Sequence, residues 1–300
     1  MKKFTQLVLC LGLCGQMGCA AFVRGETSKT DGARNEAYKT VNGTTLTLNI
    51  FEDAKTKRDK LRPAIVLFFG GGWSSGSPKQ FETQARYLAS RGMVAITADY
   101  RVRSRHQSKV IDSVADARSA LRWVRANAQK LGVDPNKIAA GGGSAGGHLA
   151  ACTAFIREFD DPGEDQKISA EPNALVLFNP ALMLAALPGQ PFAGSQAVPD
   201  KAFLGTEPSK ISPVHHVKPG APPTLIFHGH ADKTVPYETA QTFADVMKAD
   251  GNACKLLGYP QQGHGFFNEE PWRTKTLIST DEFFESLGWI KGKPTLTPPQ

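Results

Sequence analysis

Six short, almost continuously apolar runs, at 64–69, 93–98, 138–140, 175–178, 225–228 and 256–259, constrain this chain more than any other feature. Runs of that length without polar alternation are what a strand buried on both faces requires. Stretches of helical period lie between most of them, at 81–90, 110–131, 149–156, 238–250 and 274–287. The first two stop beside Gly92 and Gly132, the residue type that closes a helix in a left-handed turn. Strands alternating with helices predict a mostly parallel central sheet with helices on both faces. An earlier strand is expected where Leu46, Leu48 and Ile50 alternate with Thr45, Thr47 and Asn49. One segment breaks the rhythm. Residues 181–219 are rich in Pro, Gly and Ala without a clear period, and so long a connection predicts a lid-like insertion.

At the amino end, Lys2 and Lys3 precede the apolar stretch 7–13, and Gly15, Gly18, Ala20 and Ala21 follow. This is the layout of a secretory signal peptide, with an apolar core too short to span a membrane. Small residues at 18 and 20 fit cleavage after Ala20. Met17-Gly18-Cys19 also partly matches a bacterial lipobox, with Gln16 in place of its aliphatic residue, so a lipid anchor at Cys19 is the alternative. The expected division is a leader over 1–20, a polar linker over 21–43 and one domain over 44–300, in a secreted, periplasmic or lipid-anchored protein. Beyond the leader only Cys152 and Cys254 remain, both in apolar runs and expected as free thiols. Removing Lys2 and Lys3 lowers the formal charge from +7 to +5. Arg101, Arg103, Arg105 and His106 form a short basic cluster without interleaved aromatics, expected as a solvated loop and not as a nucleic-acid surface. No Cys/His group has metal-ligand spacing, so neither metal nor cofactor is expected.

Chemistry concentrates at the ends of the predicted strands. Gly142-x-Ser144-x-Gly146 stands between a strand and a helix, the context of a strained turn that lifts a serine hydroxyl above a sheet. Its glycines leave room for that turn, and the Ala145 N–H falls at a helix amino terminus, where developing negative charge is favoured. The same stretch matches a dinucleotide fingerprint through Gly141, Gly143 and Gly146, with Glu158, Asp160 or Asp161 as the downstream acid. The rest of the chain decides between the two. Phe69-Gly70-Gly71-Gly72-Trp73 follows a strand, and three glycines let backbone donors at Gly71 or Gly72 approach an oxyanion. Asp232 follows the strand at 225–228, and His264 sits between Gly263 and Gly265 after the strand at 256–259. The order Ser144, Asp232, His264 is one used for nucleophile, orienting acid and general base, and a dinucleotide site needs neither later residue. His228 and His230 are expected in structural hydrogen bonds, and His148 as a packing or helix-surface residue. His215 and His216, near the insertion, are candidates to face a substrate. Asp99-Tyr100-Arg101 is expected to hold loops by a salt bridge, and Trp73 to pack, with a sugar platform as its alternative.

The set Gly70-Gly71-Gly72-Trp73, Asp99-Tyr100-Arg101, Gly142-Gly143-Ser144-Ala145-Gly146-Gly147-His148, His228-Gly229-x-x-Asp232-x-x-Val235-Pro236 and Gly263-His264 resembles bacterial secreted carbohydrate esterases. These form the acetyl-xylan and feruloyl esterase-like branch related to the hormone-sensitive-lipase-like esterases. The resemblance covers most of the chain beyond the leader. It implies an α/β-hydrolase fold and a secreted serine carboxylesterase that removes short acyl groups, above all acetyl, from carbohydrate. Ser144, Asp232 and His264 would be catalytic, and Gly71, Gly72 and Ala145 the oxyanion donors. The expected partner is a small acyl ester or acylated carbohydrate. A serine peptidase of the same fold and a non-catalytic binding protein on this scaffold are the alternatives. Two departures stand out: Phe69 occupies the place of a loop-bracing histidine, so packing must hold the loop, and the helical amino-terminal cap of the lipase-like branch is missing, which implies an open site.

Overall fold

The computed structural model describes residues 32–54, 60–189 and 198–297. The leader, its cleavage point after Ala20 and Cys19 lie outside the described residues. Eight strands form one sheet in the order β1-β2-β4-β3-β5-β6-β7-β8. They are β1 (Arg34–Val41), β2 (Thr44–Phe51), β3 (Arg62–Phe68), β4 (Val94–Ala98), β5 (Val133–Gly143), β6 (Ala174–Phe178), β7 (Thr224–Gly229) and β8 (Cys254–Tyr259). From β4 to β8 every pairing is parallel, and β1 and β2 close one edge antiparallel. The helices are α1 (Glu82–Ser90), α2 (Arg103–His106), α3 (Val110–Ala126), α4 (Ala128–Leu131), α5 (Ala145–Phe155), α6 (Lys201–Leu204), α7 (Tyr237–Ala249) and α8 (Trp272–Ser286).

The unbroken apolar strands serve two cores at once, because successive side chains point to opposite faces. Ala64, Val66 and Phe68 of β3 pack with α3, α5 and α7, while Ile65 and Leu67 pack with α1 and α8. This doubly covered sheet is the expected architecture.

Two expectations change. The supposed linker over 21–43 includes β1, an edge strand paired with β2 from Arg34 to Val41. Its outward face is polar and Tyr38 is its only buried apolar side chain, so it carries almost no hydrophobic period. The described parts of 181–219 are packed wall. Leu182, Leu204, Ile211 and Val214 are buried in the core, held by single turns including α6, Pro208–Ile211 and Pro213–His216. Among the described residues no helix is long and apolar enough to cross a membrane.

Candidate active site

Ser144 sits between β5 and α5 with φ 53° and ψ −119°, a conformation a non-glycine residue adopts only when its surroundings over-determine it. Those surroundings are the two flanking glycines. A Cβ at Gly146 would lie 2.1 Å from the Phe68 carbonyl oxygen, and one at Gly142 2.5 Å from the same atom. Any side chain there would push the turn off the end of β3. The glycines of the rival dinucleotide fingerprint have no space for a pyrophosphate. A Cβ at Gly141 would lie 2.7 Å from the Val176 carbonyl oxygen, and one at Gly143 2.5 Å from the Phe267 ring, so both approaches are already filled by protein. The acids of that fingerprint are also engaged: Glu158 with Lys210, Asp160 with Arg118 and Arg122, Asp161 with Lys39.

The carboxyl ends of β5, β7 and β8 bring Ser144, Asp232 and His264 together. His264 Nε2 lies 2.8 Å from Ser144 Oγ, and His264 Nδ1 2.7 Å from Asp232 Oδ2. An ionised carboxylate only accepts, so Nδ1 carries the proton and Nε2 is left to accept the serine hydroxyl. Asp232 is buried and its oxygens are heavily bonded. Oδ1 accepts the N–H groups of Thr234 and Val235 at 2.9 Å each, and Oδ2 accepts Asn179 Nδ2 at 2.6 Å. His228 Nε2 is 3.3 Å from Oδ2 and 2.8 Å from the Val235 carbonyl. Burial acts to raise the Asp232 pKa, but the hydrogen bonds from His228, His264, Asn179 and Val235 outweigh it and hold the carboxyl well below the usual carboxylate range.

Asn179 escaped the sequence reading. It follows β6 with φ 43°, fully buried. Its signal was positional, because the chain just past each neighbouring parallel strand carries a group of this site.

Behind Ser144, the N–H groups of Gly71, Gly72 and Ala145 have no acceptor among the described residues, whereas Gly70 N–H donates to Gln80 Oε1 at 2.6 Å. The loop is rooted by Phe69, whose ring stacks on Tyr100 with centroids 4.1 Å apart, and Tyr100 Oη donates to the Phe69 carbonyl at 2.7 Å. Arg105 bridges to Asp99 and Arg101 to Asp116 of α3, so two members of the cluster expected to be solvated instead anchor the chain after β4 to the fold. Trp73 is more than packing: its indole N–H donates to His148 Nδ1 at 3.2 Å. His215 and His216 pin the insertion, bonding Ser212 and the Ala186 carbonyl, and the Ser209 carbonyl, respectively. Cys152 and Cys254 are free thiols.

A cavity of about 60 Å³ opens beside Ser144, walled by Trp73, Ala181, Met183, Leu184, Val198 and Val235. Larger clefts of about 310 and 650 Å³ adjoin Pro172 and Asn173 at the amino ends of the strands, away from all these groups. Among the described residues no three His, Cys, Asp or Glu side chains converge as a metal site.

A doubly covered parallel sheet, a strained serine turn after β5 and an acid and a histidine after β7 and β8 define an α/β-hydrolase. The BD-FAE family model matches residues 48–247, and the chain belongs to this family of α/β-hydrolase esterases. Esterase 2 of Thermogutta terrifontis, solved as its sarin-phosphonylated form, is 49% identical with a TM-score of 0.86, over 88% of this chain and 98% of that one. The same esterase has been solved with propionate bound, at 50% identity and a TM-score of 0.82, over 88% and 97%. Esterase LipC of Mycobacterium tuberculosis is 30% identical over 68% of this chain and 54% of its own length. An acetylxylan esterase of Xylanibacter ruminicola is 27% identical over 83% of this chain and 50% of its own. The chain thus spans about half the length of these two curated relatives.

Proposed function

We propose that this chain is a serine carboxylesterase that removes short acyl groups, acetyl above all, from carbohydrate. The observation that carries the reading is the unbroken hydrogen-bonded row from Asp232 through His264 to Ser144, beside a loop and a helix start whose Gly71, Gly72 and Ala145 N–H groups have no acceptor among the described residues. In this mechanism His264 Nε2 takes the Ser144 proton as Oγ attacks the ester carbonyl. The N–H groups of Gly71 or Gly72 and of Ala145 receive the oxyanion. Asp232 fixes the imidazole tautomer and stabilises the imidazolium, which then protonates the departing alcohol. Water, activated by the same histidine, releases the acid from the acyl-enzyme.

The size of the cavity supports a short acyl group, since about 60 Å³ holds only a few waters. The acetylxylan esterase relative and the propionate-bound structure support the same choice, and the first also supports a carbohydrate alcohol. The leader read over 1–20 supports action outside the cytoplasm, with cleavage after Ala20 or a lipid anchor at Cys19.

Stopped-flow hydrolysis of an aryl acetate tests the chemistry. A burst of chromophore is expected from the wild type, and Ser144→Ala is expected to fold and show neither burst nor turnover. Substantial turnover by Ser144→Ala would remove the nucleophile from the mechanism. Aryl acetate is also expected to outpace aryl esters of long fatty acids, and acetylated sugars to outpace feruloylated ones. A rate maximum at long chains would sink the short-acyl reading.

A further inference from the structure

We propose that His148 is a positioning residue for the oxyanion loop: from the nucleophile's own helix it ties the Trp73 indole to the Ile211 carbonyl and so fixes Gly71 and Gly72 opposite Ser144. The proposal rests on the esterase reading above and adds a residue that acts through the donors without touching the substrate.

His148 lies one turn beyond Ser144 in α5, its N–H donating to the Ser144 carbonyl at 3.0 Å, and its side chain is fully buried. Each ring nitrogen has a partner of fixed polarity. The Trp73 indole can only donate, at 3.2 Å to Nδ1, and the Ile211 carbonyl can only accept, at 2.7 Å from Nε2. The ring is therefore neutral, with its proton on Nε2, and has one orientation. Cys152 Sγ, 3.3 Å from Nε2, fills the space beside it.

Trp73 follows Gly72 directly, with φ 56°, a left-handed backbone that a bulky residue holds only under constraint. The constraints are the indole bond, an edge-on ring contact with His148 at 5.1 Å, and the Trp73 carbonyl accepting Arg103 N–H at 3.0 Å. Phe69 packs the root of the loop but offers no side-chain hydrogen bond to its tip. Gln80 and Tyr100 hydrogen-bond the loop at Gly70 and Phe69, and the side-chain brace beyond Gly72 comes through His148 on Trp73. Ile211 belongs to the segment whose Ala181, Met183 and Leu184 wall the cavity, and Val214 N–H to Leu182 carbonyl and Leu184 N–H to Ser212 Oγ clasp the two parts. One imidazole thus sets both the acyl wall and the oxyanion donors relative to the nucleophile.

Steady-state kinetics on an aryl acetate test this. Trp73→Phe deletes the indole N–H and keeps an aromatic ring, and His148→Gln keeps a side-chain amide that can accept and donate. Trp73→Phe is expected to lower kcat about 10- to 100-fold, the scale of an ångström-sized misplacement of a catalytic group. KM should move less than about threefold, because the lost interaction serves the transition state. His148→Gln should lose less than His148→Ala, and Trp73→Phe combined with His148→Ala should be no slower than His148→Ala alone, since one bond is being removed twice. Wild-type kcat in folded Trp73→Phe, or losses that multiply in the double variant, would overturn the proposal. If the His148 variants do not fold, Trp73→Phe alone decides. An active Ser144→Ala would refute the esterase reading itself, whereas an inactive Ser144→Ala beside a fully active Trp73→Phe refutes only the role of His148.

Discussion

Asp232, the orienting acid of the proposed mechanism, illustrates how much of a side chain's behaviour is set by neighbours with no chemical part in the reaction. A buried carboxylate is costly unless it is thoroughly hydrogen-bonded, and here four donors besides His264 converge on it or lie beside it. Asn179 is the one that can be removed without altering the Asp232 loop. A hydrogen bond to a charged group contributes about 1.5–3 kcal/mol, so Asn179→Ala should lower stability by about that much, and turnover with it as Asp232 loses its fixed position. Asn179→Asp is nearly isosteric yet sets a carboxylate oxygen where a donor stood, 2.6 Å from Asp232 Oδ2. Like charges at that separation repel strongly, so Asn179→Asp should have the lower thermal midpoint of the two. The reverse order would mean that volume, and not charge, is what the position requires.

The loop from Phe69 to Gly76 shows the same dependence at the level of an element. Its root is one aromatic pair, Phe69 on Tyr100, and a Cβ at Gly76 would already lie 2.6 Å from the Phe69 ring. Truncating a buried aromatic costs about 3–5 kcal/mol, and misplacing an oxyanion donor about 10²–10³ in turnover. Phe69→Ala should therefore lose both stability and kcat, and Phe69→His, which refills part of the volume and can hydrogen-bond, should lose much less activity. Thermal midpoints alongside kcat check this, and a fully active, stable Phe69→Ala would mean the ring does not brace the loop. The parallel strands, five longer helices and the convergence of Ser144, Asp232 and His264 were legible in the sequence because each follows from a strong local pattern: an apolar run, a helical period, or a glycine-framed loop at a strand end. The edge strand β1 was not, since one buried apolar side chain, Tyr38, makes no period. The wall formed by 181–189 and 198–219 was not, because isolated turns bury Leu204, Ile211 and Val214 one at a time. Asn179 and the link from Trp73 to His148 depend on which strand ends and loops meet in space, which no local pattern encodes.

For the whole molecule, the buried histidine makes stability a function of pH in a range where most carboxylates are silent. Burial pushes the His148 pKa down to about 4, only partly countered by its bond to the Ile211 carbonyl. In the unfolded chain a histidine binds its proton below about 6.5. Between these values the unfolded state holds more protons than the folded one, so stability rises with pH and is lost as pH falls from about 6.5 to about 4. The loss from this one group amounts to about 3 kcal/mol and is complete near the lower value. His106, lowered by burial and by Arg105, adds in the same direction. The carboxyls held below their usual range, Asp232, Asp160 and Asp161 among them, act later. Their stabilisation is fully present above the unfolded carboxylate value of about 3.9 and disappears only as pH falls below it. Acid unfolding should accordingly proceed in two stages, a shallow decline of the thermal midpoint from neutral pH down to about 4 and a steeper one below. In His148→Gln the first stage should flatten, leaving the His106 contribution, while the second persists. An unchanged first stage in that variant would place its origin outside α5 and its contact with Trp73.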